Sequence, residues 1–115
     1  MKYAARLCLL MSLTSVSAAE PGLGTREVWL SNESVEVIRL TYPVGTESGM
    51  HGHAFPYRAI YVVKGGKLEL VPADEREEVR MVEVQDGEAL FMPAAKHNVR
   101  NVGDTEIILV ETEIK

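Results

Sequence analysis

The histidines are the residues of this chain whose type and spacing most clearly indicate chemistry. The chain has three in all, His51, His53 and His97, and each lies within β-type sequence. Three neutral imidazoles with an open coordination position form a site for Fe, Mn, Ni, Cu or Zn. Because successive side chains of a strand point to opposite faces, His51 and His53 share a face and can reach one ion. The pattern predicts a site for one divalent transition metal; the alternatives are a surface strand face or a hydrogen-bonded core histidine.

A series of short strands must position these histidines. β-branched and alternating residues predict about nine strands separated by turns roughly every 8 to 12 residues, and no convincing helical period follows the N-terminal segment. Turns are expected at Gly65-Gly66, as a hairpin that needs positive φ, and at Asp86-Gly87. The pattern is typical of an all-β sandwich or barrel.

Length, composition and charge restrict the class of protein. With 115 residues, 46% of them hydrophobic, the chain is long enough for one globular domain. Its formal net charge of -5 leaves no electrostatic basis for binding nucleic acid. The acidic residues are scattered, so we interpret them as a contribution to solubility and not as a partner surface.

Residues 1–19 have the pattern of a secretory signal peptide. A basic start with Lys2 and Arg6 precedes an apolar run over residues 7–16, and small residues follow at 17–19. The apolar run is too short for a membrane span. This pattern predicts export to the periplasm or secretion.

The predicted signal peptide leaves residues 20–115 as the mature domain. Cleavage after Ala18 and cleavage after Ala19 both satisfy the small-residue rule. The one cysteine, Cys8, lies in the signal segment. The mature domain is therefore expected to contain no disulfide and no thiolate ligand.

One group of residues resembles the first sequence motif of the cupin superfamily. That motif has Gly, five residues, His-x-His, three or four residues, Glu, six residues and Gly. In this chain Gly45 precedes His51 and His53 at the motif spacing, and Gly65 follows them. Arg58 occupies the position of the motif glutamate, which is a metal ligand in the family.

A second group resembles the second cupin motif, which has Gly, five residues, Pro-x-Gly-x-x-His, three residues and Asn. Here Gly87 is followed by Pro93, His97 and Asn101. Ala95 stands at the glycine position, and the run from the proline to the histidine is one residue shorter. Both motifs occur in order, and the resemblance spans about residues 28 to 113.

The resemblance implies a single cupin-type (jelly-roll) β-barrel with a site inside its mouth. It carries His51, His53 and His97 over as metal ligands, and it carries over no fourth ligand. A set of three histidines without the acid resembles the ligand set of the thiol dioxygenases and the diketone-cleaving dioxygenases, which hold a ferrous ion. Asn101 follows His97 by four residues on the same strand face, so it either hydrogen-bonds near the metal or caps a turn before Gly103.

Arg58 is the departure with the largest physical consequence. Strand alternation places it with Ile60 and Val62 on the expected interior face. A positive charge about 5 Å from a divalent ion costs roughly 7 kcal/mol at an effective dielectric of 20. An inward Arg58 must therefore pair with a carboxylate, bend toward the mouth, or sit in a barrel without metal. It could also bind the carboxylate of a substrate, or be solvated on a strand that Pro56 bulges.

Aromatic and methionine side chains complete the candidate site. Tyr57 is a candidate substrate-binding residue; the alternative is a pair with Tyr61 on the outer face. We also expect four side chains to line the pocket or the core, because β-barrels fill their interiors with apolar groups: Met50, Phe55, Phe91 and Met92.

Three hypotheses of function remain at this point. The first is a metal-dependent, dioxygenase-like oxidoreductase that acts on a small carboxylate-bearing molecule. The second is a module that binds or senses a small molecule or metal without turnover. The sequence shows no evident general base and no acid ligand for the metal, and both absences favour this hypothesis. The third is a cupin whose site has decayed and whose role is oligomeric. The fold itself predicts a homodimer, because edge strands such as residues 35–40 and the last strand need covering.

Overall fold

The structure is a computed structural model that describes residues 22–115, so the predicted signal peptide over residues 1–19 lies outside the described residues. The described part forms strands throughout and contains no helix long and apolar enough to cross a membrane. The strands are β1 Thr25–Ser31, β2 Val35–Tyr42, β3 His51–Gly52, β4 Tyr57–Lys64, β5 Gly66–Pro72, β6 Arg80–Val84, β7 Ala89–Pro93, β8 Lys96–Asn101 and β9 Ile107–Ile114.

The nine strands form two antiparallel sheets. One has five strands in the order β1-β2-β9-β4-β7, and the other has four in the order β3-β8-β5-β6. The expected all-β class is therefore confirmed. The sheets stack and enclose a cavity, and they are not joined into one closed ring of strands.

The prediction for Gly65-Gly66 was wrong. β4 and β5 lie in different sheets, so the two glycines cross between sheets instead of closing a hairpin, and neither has positive φ. They are needed for close approach: a Cβ on Gly65 would lie 2.1 Å from the Val84 carbonyl oxygen. Gly87 does have positive φ, at 79°, as the tight turn before β7 requires.

Alternation along the strands separates an apolar interior from an outer face. On β4, Arg58, Ile60 and Val62 are buried while the residues between them are exposed, as the sequence pattern predicted. On β9 every second residue from Ile107 to residue 113 is buried. The core consists of side chains from both sheets: Ile38, Tyr42, Ile60, Val62, Leu68, Val84, Val99, Ile107 and Leu109.

Candidate metal site

The three histidines converge where the short strand β3 pairs with β8. His51 and His97 are direct cross-strand partners, and His53 follows β3 by one residue. One ligand nitrogen from each ring lies within 4.8 Å of the others, and Nε2 of His53 is 3.3 Å from Nε2 of His97. Two nitrogens bound tetrahedrally to one ion at 2.0–2.1 Å lie about 3.3 Å apart. The spacing therefore fits a shared metal ion.

The outer nitrogens of two rings are held by acceptors. Nδ1 of His51 lies 2.9 Å from the carbonyl oxygen of Gly49, and Nδ1 of His53 lies 2.7 Å from Oε1 of Glu113. An Nδ1–H that donates to these oxygens leaves the Nε2 lone pair free. Histidines that bind metals have this arrangement, because the acceptor fixes the tautomer and the orientation of the ring.

Glu111 and Glu113 lie beside the histidines, and sequence analysis missed both. They occupy the inward face of β9, where the apolar series of Ile107 and Leu109 ends. Oε1 of Glu111 is 3.5 Å from Nδ1 of His53, and His53 with the two carboxylates forms a second cluster able to hold a cation. The signal was present in the alternation of the last strand: two carboxylates at i and i+2 on an otherwise apolar face.

Arg58 points into the same cluster and pairs with Glu111. Its side chain is 5% exposed, and one terminal nitrogen lies 3.5 Å from Oε1 of Glu111, whose side chain is 4% exposed. Of the alternatives considered for Arg58, pairing with a carboxylate is observed, and a solvated side chain on a bulged strand is wrong. Nε of Arg58 and Oε1 of Glu111 are buried without a hydrogen-bond partner. Such groups are rare in native interiors, so they mark where a bound group would add contacts.

Burial and charge set the protonation of the cluster. Burial, followed by the nearby Arg58 guanidinium, lowers the pKa of His97 to about 3. Burial raises the pKa of Glu111, opposed by the positive charges of Arg58 and His53. His97 is therefore a neutral imidazole at neutral pH, which is the form that binds a metal.

The depressed pKa of His97 predicts a pH dependence of stability in the metal-free protein. The unfolded chain takes up a proton near pH 6.5, and folded His97 does so only near pH 3. The contribution of His97 to stability is therefore present above pH 6.5 and is lost at up to about 1.4 kcal/mol per pH unit below it. Urea unfolding in EDTA at pH 6.5 to 5.0 measures this slope, and His97→Asn should reduce it by about that amount. Equal slopes in the two proteins would contradict the assignment to His97.

The structure does not bring every predicted residue to the site. Asn101 is buried, but its side chain donates to the carbonyls of Tyr42 and Thr105 and accepts from the amide of Gly103, so it caps the turn after β8. Tyr57 lies on the outer face of β4 and is 50% exposed.

Tyr57 stacks on Phe91 with ring centroids 5.4 Å apart, so neither ring faces the cavity. Phe91 is 64% exposed and Met50 is 51% exposed, which corrects their expected place in the interior. Both Phe55 and Met92 do line the cavity. Strand alternation explains the difference on β7, because Phe91 and Met92 point to opposite faces.

The cluster opens into a cavity of about 700 Å³ between the two sheets. The three histidines, Arg58, Glu111 and Glu113 form a polar cluster in its wall. The charged side chains of Arg26, Glu36 and Arg80 also line the cavity, and most of the remaining wall is apolar. A concave site with few convergent polar groups is typical of small-molecule binding.

Known proteins match this chain in sequence and in structure. The family model described as Cupin domain matches residues 38–113. The Beta-alanine degradation protein BauB of Pseudomonas aeruginosa is 33% identical over 89 residues, which cover 76% of this chain and 90% of that protein. A cupin domain from Bordetella pertussis has a TM-score of 0.73 at 28% identity, covering 85% of this chain and 99% of that one.

A more distant solved structure has the same fold. It is a conserved protein with a double-stranded β-helix domain from Klebsiella pneumoniae, with a TM-score of 0.63 at 18% identity. The match covers 84% of this chain and 81% of that one.

Proposed function

Because the chain belongs to the cupin domain family, we propose that it is an exported, metal-dependent cupin that acts on a small carboxylate-bearing molecule. His51, His53 and His97 would hold one divalent transition metal. The bound metal would supply a Lewis acid with open positions for substrate and dioxygen, as dioxygenase-like oxidation requires. The observation that carries the proposal is the 3.3 Å separation of two Nε2 atoms, with the Nδ1 of His53 held by Glu113.

The charges of the site support an anionic ligand. With both carboxylates ionised and the imidazoles in the neutral form that binds a metal, Glu111, Glu113 and Arg58 together carry one net negative charge. A divalent ion changes this to one net positive charge, which a monocarboxylate would neutralise. Arg58 has an unpartnered buried Nε with which to receive the carboxylate.

The curated relative is consistent with a carboxylate-bearing ligand. It is named as a protein of β-alanine degradation, and β-alanine has a carboxylate group. The shared family and 33% identity transfer this chemical class as a proposal and not the particular compound.

A non-catalytic module that captures a small molecule is the second candidate. The observation that favours it is the engagement of the three carboxylates that line the cavity. Glu113 holds His53, and Glu111 faces Arg58 and His53. Glu36 pairs with Arg26. Among residues 22–115, the cavity therefore offers no carboxylate free of a cationic or imidazole partner to act as a general base.

Export and a homodimer are further parts of the proposal. Export rests on the signal-peptide pattern of residues 1–19. The expected edge strands are β2, over residues 35–40, and β9; both lie inside the five-stranded sheet, so that part of the prediction was wrong. The homodimer is supported instead by β1, an edge strand whose seven residues are all exposed, among them Trp29 at 53%. A second copy that covers this strand would remove an unpaired edge.

The experiment that tests the function is a metal and oxygen analysis of the untagged mature protein purified from the periplasm. We expect about one equivalent of transition metal per chain, removed by EDTA, and oxygen uptake that requires both metal and a carboxylate. Metal without oxygen uptake would select the binding module. No metal, even after incubation with excess Fe²⁺, Mn²⁺ or Zn²⁺, would contradict the metal-dependent function and leave only the small-molecule binding module.

A further inference from the structure

The strand register divides the cavity into layers of different polarity. Arg58 of β4 lies opposite Glu113 of β9, next to the histidines. Two residues further along, Ile60 lies opposite Glu111, and Val62 then lies opposite Leu109. The polar groups therefore occupy one end, and the interior beyond them is apolar.

Apolar side chains from both sheets form this second part of the cavity. We name it the apolar shaft and define it by six lining residues: Ile38, Leu40, Leu68, Val82, Val99 and Leu109. Glu113 and Leu109 are four residues apart on β9, so about 13 Å separates the polar mouth at Glu113 from the level of Leu109 in the shaft, at about 3.3 Å per residue.

The volume is too large for a small polar acid alone. A cavity of about 700 Å³ has room for roughly 20 groups the size of a water molecule, at about 30 Å³ each. An acid of a few non-hydrogen atoms held at Arg58 and the histidines would leave most of this cavity unfilled. Water is a poor filling for the rest, because a buried water needs two to four polar partners and the walls are aliphatic.

The polar end determines the head group of the occupant. Arg58 is 4% exposed, and its Nε is a buried donor without a partner. An anionic oxygen at this point would satisfy the donor and also reach an ion held by the histidines. The shaft beyond offers an apolar body contacts along its whole length.

We propose that the ligand is an amphipathic monocarboxylate whose head group lies between Arg58 and the histidines and whose apolar body fills the shaft. The metal-bound position of the head group rests on the proposed function; the fit of the body does not. An extended body of about eight carbons spans the shaft. β-Alanine itself, which has no apolar body, is expected to be a weak ligand.

The test is the affinity of the mature protein for unbranched alkanoates from acetate to decanoate, each below its micelle concentration. Zn²⁺-loaded protein is used in calorimetry, because zinc is redox-inert and excludes turnover. We expect affinity to rise about fourfold with each added methylene and to level off near eight carbons. Equal affinity across the series, or β-alanine binding more tightly than octanoate, would overturn the proposal.

A pair of valine variants assigns the effect to the shaft. Val82 lines the cavity from β6, whereas Val63 lies on the outer face of β4 and is 46% exposed. Val82→Phe should move the plateau to shorter chains, whereas Val63→Phe should leave both the plateau and the acetate affinity unchanged. An unaltered plateau in a folded Val82→Phe protein would place the alkyl chain outside the shaft and contradict the proposal.

The same titration without metal separates this inference from the proposed function. If metal binds at the histidines but the chain-length series is flat, the metal-dependent function stands and the amphipathic ligand is refuted. If no metal binds but affinity still rises with chain length, the shaft assignment stands and the metal-dependent function fails.

Discussion

The His51→Ala/His97→Ala variant is expected to lose at least about 100-fold in Zn²⁺ affinity and to be purified almost free of metal. Changes to groups that only orient a metal ligand typically cost 10- to 100-fold, so removing two ligands should cost no less. The variant leaves His53 with Glu111 and Glu113, a weaker set for a borderline-soft ion than three imidazoles. Elemental analysis and calorimetric titration of the mature protein measure the loss.

Two comparison variants make the result specific. Lys96→Ala changes the exposed neighbour of His97 on the opposite strand face and should keep full metal content. Glu113→Gln replaces the carboxylate that accepts from His53 Nδ1. Its Zn²⁺ affinity should lie between those of Lys96→Ala and the double variant, with a loss of about 10- to 100-fold. Zinc bound by the double variant as tightly as by the wild type would refute the three-histidine site. Melting temperatures of the metal-free proteins identify any variant that fails to fold.

The strands and the shared face of the histidines could be predicted from sequence because both follow from local alternation. A period of two placed His51 and His53 together and turned Arg58 inward, and the structure has both features. The number of strands was predictable as well: about nine were expected, and the structure has nine in residues 22–115.

The partners of these residues could not be predicted in the same way, because they depend on which distant strands become neighbours. Glu113 reaches His53 only because β9 pairs with β4 and the opposite sheet closes over them. The motif predicts a glutamate at the position of Arg58. The carboxylates that lie beside the histidines are instead those of Glu111 and Glu113 on the last strand. Asn101 shares a strand face with His97 but caps the other end of β8, since four residues of strand separate them by about 13 Å.

The Arg58→Met variant is expected to lower the stability of the metal-free protein by about 3 kcal/mol, because it leaves Glu111 buried without its cation. For a domain of this size the melting temperature should fall by roughly 12 to 24 °C. The same change removes a positive charge beside the histidines, so Zn²⁺ should bind more tightly to the variant. Stability and metal affinity therefore move in opposite directions, which simple loss of packing would not produce.

The surface pair of Arg26 and Glu36 provides the matched control for Arg58. Its atoms are closer, at 2.8 Å, but the arginine side chain is 54% exposed, so Arg26→Met should cost no more than about 1 kcal/mol. The Arg58→Met/Glu111→Leu double variant should recover most of the stability, because it removes both members of the buried pair. Equal losses in Arg26→Met and Arg58→Met would mean that the buried charge is already compensated by other groups. Recovery in the double variant with weakened Zn²⁺ binding would instead show that Glu111 contributes to metal binding.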